Sequence, residues 1–340
     1  MEILDCTLRD GAHAVGGSFS PSTTEAIVRA LCDCGIRVIE FGKPSGIGSN
    51  GVYDDMDYLE AVSPHIKSAE LGMFCRPDFA KEKDVQLAAD YGLGFLRVGT
   101  NAGKVEQSEE IISLACKLDI RVRYSLMKAH SVAPGIIAEQ AQKLEDFGAD
   151  SITIMDSTGT MLPEEVAEYV RSVVSKVSIP VGFHGHNNLG LAVCNAMSAL
   201  KNGALSIDGS IAGLARSAGN APTEILAALM HKKNVHTEID LFKLLHFIEG
   251  RLDSLIPGIT GISPDDIVLG LYGFHSKFLD PAKRISKLYG VDLFELIKET
   301  SKINQVDPDE SLFQKVAVEI EKKQWENDEL IKKGGKTNVE

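Results

Sequence analysis

Short apolar runs alternate with longer amphipathic stretches over about the first 230 residues of the chain. The apolar runs are rich in Val, Ile and Leu and have the length of strands; they lie at 2–6, 37–41, 68–74, 94–99, 121–127, 151–156, 180–186 and 204–209. The stretches that follow them have helical spacing and lie at 23–34, 57–63, 79–91, 106–118, 134–147, 163–177, 190–202 and 221–231. Strands that alternate with helices predict a parallel sheet, and eight such units favour a (β/α)8 TIM barrel over an open doubly wound sheet.

The alternation stops after residue 231, and only helical patterns follow, from about residue 238 to residue 323. We therefore predict a barrel domain over residues 1–235 and a helical C-terminal region over residues 236–325. Residues 326–340 are polar and end in "KKGGKTNVE", which predicts a disordered tail. No G-x-G-x-x-G motif follows the first strand, which argues against a dinucleotide-binding domain.

The composition is that of a globular protein, with 44% hydrophobic and 24% charged residues among 340. A net charge of −13 argues against nucleic acid or an anionic membrane as a partner. The six cysteines lack the paired spacing of a zinc site, so we interpret them as reduced thiols of a cytosolic protein. The sequence has no signal-like start and no apolar run of roughly 20 residues, so we expect a cytoplasmic location without a membrane span.

Polar side chains concentrate where the predicted strands end, which is where barrels of this kind place their active sites. The seventh strand ends in "HGH", so His184 and His186 project to the same face of the strand and can share one metal ion. The alternative is a pair of polar residues that only form hydrogen bonds. Asp10, Glu40 and Asp156 are the candidate carboxylates, and Asp10 is preferred because a closed barrel puts the first strand near the seventh. An Asp-His-His set with open positions suits Mn, Mg, Co or Fe better than a closed zinc site.

The eighth strand is followed by a Gly-containing loop, "AGLARSAGNAPTE", which opens the last barrel helix. Its backbone N–H groups could hold a carboxylate or a phosphate at the helix N-terminus. The alternative is a tight turn that only packs the helix, and the sequence leaves both interpretations open.

Three motifs carry a resemblance to a known family. "LDCTLRDGAHA" (4–14), "GFHGHNNLGLA" (182–192) and "IDGSIAGLARSAGNAPTE" (207–224) together resemble the metal-dependent pyruvate aldolases and lyases. That superfamily also holds HMG-CoA lyase and isopropylmalate synthase, and the likeness is strongest to the 4-hydroxy-2-oxovalerate aldolase family. The resemblance implies an aldolase that cleaves a 4-hydroxy-2-oxo acid to pyruvate and an aldehyde, or runs the reverse addition.

The resemblance also implies roles for individual residues. Asp10, His184 and His186 would bind the divalent metal, most often Mn²⁺, with Mg²⁺ or Co²⁺ as alternatives. Arg9 would bind the 2-oxo acid and stabilise the enolate oxygen, and His13 would be the general base at the 4-hydroxyl. Retro-aldol cleavage needs both an electron sink at the keto group and a base at the hydroxyl.

Two positions depart from the family pattern, and a third residue is a further substrate-binding candidate. His275, in "GFHSKF", stands where the family has a tyrosine, and it is a candidate proton donor, with Tyr272 as the alternative. Lys43, in "IEFGKPSG", would suit an acidic aldehyde half. Ser157, at the end of the sixth strand, is the further candidate for binding the substrate.

The resemblance also implies a partner, because the aldolase family commonly works with an acylating aldehyde dehydrogenase docked on the helical C-terminal region. The sequence leaves open the aldehyde, the favoured direction and the oligomeric state, for which a homo-oligomer is one alternative. The competing functions are a Claisen-type synthase that joins an acyl-CoA to a 2-oxo acid and a non-catalytic protein on an aldolase-like barrel. A degenerate copy would lose its metal ligands first, and here all three are present.

Overall fold

Eight parallel strands close into a barrel in which each strand pairs with the next along the chain and the eighth pairs with the first. The structure is a computed structural model that describes residues 1–248, 252, 255–256 and 264–334. The strands are β1 (Glu2–Leu8), β2 (Val38–Phe41), β3 (Glu70–Cys75), β4 (Phe95–Asn101), β5 (Arg121–Met127), β6 (Ser151–Asp156), β7 (Val181–Gly185) and β8 (Ser206–Gly209). The predicted TIM barrel is confirmed.

The barrel helices follow the strands in the predicted order. They are α1 (Pro21–Asp33), α2 (Asp55–Val62), α3 (Glu82–Asp90), α4 (Glu109–Lys117), α5 (Pro134–Phe147), α6 (Pro163–Val174), α7 (Ala192–Lys201) and α8 (Thr223–Lys232). Local sequence sets their ends: Ser20 Oγ accepts a hydrogen bond from Thr23 N at 3.1 Å and Pro21 opens α1, while Gly148 ends α5 at a φ of 107°.

Alternate residues of the strands fill the inside and cover the outside of the barrel. Leu4 and Cys6 of β1 pack with Val38 and Phe95 in one buried cluster, whereas Ile3 packs with residues of α7 and α8 in another. This alternation follows from the period of two along a strand. Apolar side chains therefore lie on both faces of β1, one set inside the barrel and the other between the strand and the helices.

The chain divides into two compact units, Met1–Ile262 and Ser263–Glu340. The first includes α9 (Leu241–Phe247), because Leu244 and Phe247 are buried in the same core as the barrel. The domain boundary that we predicted between residues 235 and 236 therefore lies before the division between the units. The assignment of 236–325 to one functional region stays a prediction.

The second unit contains α10 (Pro264–Leu271), α11 (Leu279–Tyr289), α12 (Leu293–Ile303) and α13 (Glu310–Gly334). Phe274 lies in its core. The centroid of the Phe274 ring is 5.5 Å from that of the Phe278 ring and 5.7 Å from that of the Phe313 ring. Helix α13 continues into the predicted disordered tail, and residues 335–340 lie outside the described residues. None of the described helices has both the length and the apolar character needed to cross a membrane.

The turn after α1 generates a stability prediction. Gly35 has a φ of 85°, and a Cβ atom there would lie 2.0 Å from the carbonyl oxygen of Glu238. We expect Gly35→Ala to lower the free energy of unfolding by about 3 kcal/mol, since both the positive φ and the overlap oppose it. Gly92→Ala is the matched control, because Gly92 has a φ of 68° with nothing within 4 Å, and it should cost about 1 kcal/mol. Urea unfolding of the full chain measures both, and equal losses would contradict the predicted overlap.

Candidate functional site

Asp10, His184 and His186 meet at the carboxyl end of the barrel. Asp10 Oδ2 lies 3.7 Å from His184 Nε2 and 3.6 Å from His186 Nε2. One donor atom from each residue lies within 4.8 Å of the other two, and all three side chains are buried. The structure therefore brings together the three residues that the sequence predicts as metal ligands.

The turn after β1 and the end of β7 position the three donor side chains. After β1 the chain turns back on itself, because the N–H groups of Arg9 and Asp10 both donate to the carbonyl oxygen of Cys6, at 3.1 and 2.8 Å. On β7 the two histidines project to one face, with ring centroids 5.1 Å apart and rings nearly perpendicular. The backbone N–H of His186 donates to the carbonyl oxygen of Asp156 at 3.2 Å, which extends the pairing of β7 with β6.

Hydrogen bonds leave the Nε2 atoms of both histidines facing Asp10. His184 Nδ1 lies 3.0 Å from Asp208 Oδ2, and His186 Nδ1 lies 3.3 Å from the carbonyl oxygen of Gly219. These acceptors assign the imidazole protons to Nδ1. His184 Nε2 is then a buried acceptor without a hydrogen-bond partner among the described residues. An orphaned nitrogen beside a carboxylate and a second imidazole fits a divalent cation.

The ionisation states also fit a metal site. Burial opposes the charge of Asp10, but Arg9, the two histidines and Arg216 outweigh burial and hold the pKa of this carboxyl well below its usual value. Burial is the largest influence on His186 and lowers its pKa well below the usual value. A carboxylate and a neutral imidazole are the forms that ligate metals.

A buried ion-pair network supports the ligands from inside the barrel. The guanidinium of Arg97 on β4 binds Glu40 Oε2 at 3.1 Å and Asp208 Oδ2 at 2.6 Å, and its Nε donates to Ser125 Oγ at 2.8 Å. Because Asp208 also accepts from His184, the orientation of this imidazole depends on Arg97 through one shared carboxylate oxygen.

Arg9 extends the same network to the other side of the site. It pairs with Asp10 at 2.9 Å and with Glu40 at 3.1 Å, and its Cζ lies 4.9 Å from the centroid of the Phe74 ring. Arg9 Nε and Nη2 are buried with no hydrogen-bond partner in the described part of the chain. Arg9 is thus held in place on three sides while these two nitrogens can still donate to an oxygen ligand.

His13 ends the short 3-10 turn Gly11–His13 and lies at the exposed rim of the site. The pKa of its imidazole is lowered to about 4, chiefly by desolvation and also by Arg216 and Arg9, while the charge of Asp10 opposes the shift. The ring is therefore neutral at pH 7 and can accept a proton, as the predicted base must.

Lys43 has a partner that the sequence did not predict. Its Nζ lies 3.0 Å from Asp55 Oδ2 and donates to the carbonyl oxygen of Ser49 at 2.8 Å, with 5% of the residue exposed. The ammonium is therefore neutralised inside the β2–α2 loop, where it joins the two ends of that loop. This arrangement does not favour the predicted contact with an acidic substrate.

The other two predicted residues lie in different parts of the chain. Ser157 follows β6 and its Oγ accepts from Lys128 N at 2.9 Å, which leaves its hydroxyl proton for a ligand. His275 lies in the second unit, is buried, and its Nδ1 accepts from Lys277 N at 3.1 Å. The substrate roles of both residues stay predictions.

Several residues of the site have contacts to which the sequence assigned no role. Arg97 and Asp208 lie inside apolar strand runs, and a charged residue within such a run is the signal that could have identified them. Asn220 Nδ2 donates to Asp10 Oδ2 at 3.0 Å, and Arg216 Nη2 lies 3.5 Å from His186 Nε2. Both belong to the loop after β8, in which the sequence predicted no role for these two side chains.

Comparison with known proteins agrees with this geometry. Residues 1–249 match the HMGL-like family, and residues 260–322 match the DmpG-like communication domain. The chain belongs to the HMGL-like family. HMGL-like aldolases depend on divalent metal ions, and the Asp10, His184 and His186 cluster is a site where this member can hold one.

Similar proteins extend over nearly the whole chain. A 4-hydroxy-2-oxovalerate aldolase of Geobacillus genomosp. 3 is 33% identical over 94% of this chain and 97% of that protein. One of Carboxydothermus hydrogenoformans (strain ATCC BAA-161 / DSM 6008 / Z-2901) is 35% identical over 95% of this chain and 98% of that protein. Among solved structures, the carboxyl transferase domain from Rhizobium etli pyruvate carboxylase aligns with a TM-score of 0.77 at 13% identity, covering 95% of this chain and 60% of that one. That likeness shows the fold alone.

The shared oxygen of Asp208 generates a prediction for this HMGL-like protein. Asp208→Asn replaces the acceptor that orients His184, so we expect the Kd for Mn²⁺ to rise roughly 10- to 100-fold. The matched control is Asp5→Asn, since Asp5 is also a buried strand carboxylate but accepts from Thr223 Oγ1 instead. Isothermal titration of the metal-free proteins gives both constants, after thermal unfolding has shown that each variant is folded. A Kd within twofold of the wild type for Asp208→Asn would contradict the positioning role.

Proposed function

We propose that this chain is a divalent-metal-dependent aldolase that cleaves a 4-hydroxy-2-oxo acid to pyruvate and an aldehyde, or forms the acid by the reverse addition. The observation that carries the proposal is the Asp10, His184 and His186 donor set with Arg9 beside it at the carboxyl end of a TIM barrel. The same activity is in the names of the relatives that align over nearly the whole chain. One carboxylate and two imidazoles favour Mn²⁺, with Mg²⁺ or Co²⁺ as alternatives.

The chemistry needs an electron sink at the keto group and a base at the 4-hydroxyl. Asp10, His184 and His186 would hold a divalent ion, which would supply Lewis-acid chemistry at the keto group. Arg9 contributes positive charge at the same oxygen, and its pairing with Asp10 and Glu40 means that it is already oriented before the substrate binds.

His13 takes the proton of the 4-hydroxyl. It lies three residues from Asp10 and is neutral at pH 7, because desolvation lowers its pKa to about 4. As the proton leaves, the bond between C3 and C4 breaks, C4 becomes the aldehyde carbon, and the electron pair stays on the pyruvate fragment as the enolate.

The enolate must then be protonated at C3, and we propose His275 as the donor. Its Nδ1 accepts a hydrogen bond from the backbone of Lys277, which assigns the imidazole proton to Nε2. In this tautomer Nε2 carries the proton that a donor must supply. Ser157 remains the proposed hydroxyl contact to the substrate.

The second unit supports a proposal about a partner. Residues 260–322 match a communication domain, and we infer that an acylating aldehyde dehydrogenase docks there and receives the aldehyde. A reactive aldehyde that passes directly between two enzymes avoids loss to solvent.

Pyruvate release tests the proposed function. We expect the purified chain to release pyruvate from at least one of a panel of 4-hydroxy-2-oxo acids, measured by coupling to lactate dehydrogenase. EDTA should abolish the release and added Mn²⁺ should restore it, because the electron sink needs the metal. Failure with every acid would overturn the proposal. Release of CoA from acetyl-CoA and a 2-oxo acid would then identify the synthase alternative.

The base has its own test. We expect His13→Ala to lower kcat by about 10²-fold or more while the Kd for Mn²⁺ stays within about twofold, since His13 accepts the proton but does not ligate the metal. His231→Ala is the control, because His231 is exposed at the end of α8 and should retain full activity. Full activity in His13→Ala would remove it from the base role.

A further inference from the structure

Arg216 is a cation of the site that the proposed chemistry does not use. It lies in the loop between β8 and α8, is half-buried, and its Nη2 lies 3.5 Å from His186 Nε2. In the described part of the chain no acidic side chain lies within ion-pair distance of Arg216, whereas Arg9 and Arg97 each bind two carboxylates. A half-buried guanidinium without a paired carboxylate is costly, which makes an anionic ligand the natural partner.

The loop holds Arg216 in this position. The carbonyl oxygen of Arg216 accepts from Gly219 N at 3.1 Å, and Gly219 in turn accepts from Asn187 N at 2.8 Å at the end of β7. Ser217 accepts from Asn188 Nδ2 at 2.7 Å although its φ of 57° lies in the left-handed region. Such strain costs on the order of 1–3 kcal/mol and persists only where the surroundings enforce it. The loop is therefore built to direct residue 216 to the metal ligands.

The side of the site that Arg216 faces follows from its neighbours. The β8–α8 loop packs against the turn that carries His13, since a Cβ atom at Gly11 would lie 3.0 Å from Leu214 Cδ2 and 3.2 Å from the Leu214 carbonyl oxygen. Since His13 is the proposed base at the 4-hydroxyl, Arg216 lies towards the carbon that becomes the aldehyde. Arg9 serves the 2-oxo end instead.

Counting charges indicates how many negative charges the substrate should bring. Arg9 and Arg97 pair with Asp10, Glu40 and Asp208, and the half-buried Arg216 beside His186 brings this set to three guanidiniums and three carboxylates, so that its net charge is zero. A divalent ion on the candidate ligands adds two positive charges to this balanced set. A substrate with one carboxylate leaves one charge uncompensated, and a substrate with two carboxylates neutralises the site.

We propose that Arg216 is a specificity-determining residue that binds a second carboxylate on the aldehyde half, so that the preferred substrate is a 4-hydroxy-2-oxo diacid. The inference rests on the proposed aldolase function. It assigns to Arg216 the acidic-substrate contact that the sequence had suggested for Lys43, whose charge Asp55 neutralises. Both a carboxylate and a phosphate can bind a guanidinium through two parallel hydrogen bonds, but only the single charge of a carboxylate balances the charge count.

For 4-hydroxy-2-oxoglutarate the step balances without any redox partner. The bond between C3 and C4 breaks and its electron pair goes to C3. The hydroxyl proton passes to His13, C4 becomes the aldehyde carbon of glyoxylate, and C3 takes up a proton to give pyruvate. Arg216 would hold the carboxylate of glyoxylate throughout.

Binding of two unreactive acids tests the subsite directly. 2-Oxoglutarate and 2-oxovalerate both lack the 4-hydroxyl and differ only in a terminal carboxylate against a methyl group. By isothermal titration of the Mn²⁺-loaded full chain, we expect 2-oxoglutarate to bind at least about tenfold more tightly. Arg216→Gln should reduce the preference to about twofold or less, and Arg216→Lys should retain an intermediate preference.

The control is Arg121→Gln, since Arg121 is exposed at the start of β5, the opposite end of the barrel, and the preference should not change. Equal binding of both acids by the wild type, or an unchanged preference in Arg216→Gln, would overturn the inference. If Arg216→Gln does not fold, the inference is tested by comparing the preference for 2-oxoglutarate over 2-oxovalerate in the wild type and in Arg216→Lys.

Cleavage separates failure of the inference from failure of the function. We expect kcat/KM to be at least about tenfold higher for 4-hydroxy-2-oxoglutarate than for 4-hydroxy-2-oxovalerate, with the ratio lost in Arg216→Gln. A higher kcat/KM for 4-hydroxy-2-oxovalerate overturns the diacid preference and leaves the aldolase intact. A third outcome is that neither acid is cleaved while the binding preference for 2-oxoglutarate still depends on Arg216. That result would support the carboxylate subsite and contradict the proposed aldolase reaction.

Discussion

The site depends on one buried guanidinium, that of Arg97. A charge inside a barrel is tolerated only when it is paired, and the two carboxylates that pair with Arg97 come from β2 and β8. These strands lie on opposite sides of β1, so the pairing is complete only once the barrel has closed. Folding of the barrel and assembly of the site are therefore one event, because an unpaired Arg97 would oppose the closed structure.

The two carboxylates that pair with Arg97 also position residues of the candidate site. On one side Asp208 orients His184 so that its Nε2 faces Asp10. On the other side Glu40 holds Arg9 beside the same carboxylate. Metal ligands and the proposed enolate stabiliser are thus positioned by buried strand residues, which move little, before any substrate binds.

Selectivity lies in the loops that follow the strands, as is usual for this fold. The β2–α2 loop uses its cation internally, since Lys43 binds Asp55. The β8–α8 loop presents Arg216 beside His186, with no carboxylate to neutralise it in the described structure. A cationic side chain can therefore support the fold in one loop and, as we propose for Arg216, select the substrate in another, and the difference is the presence of an acidic neighbour.

The sequence by itself determined the barrel, the family and the three candidate metal ligands. These depend on local patterns, namely the alternation of apolar runs and the i, i+2 spacing of His184 and His186. Such patterns can be identified without knowing the distant contacts. Only the tertiary structure decided which charges are paired. Arg97 and Asp208 are 111 residues apart, and the ion pair of Lys43 depends on how a loop folds back. The sequence does not show which side chain a charged residue pairs with, because strand order and loop path in the closed barrel decide which side chains meet.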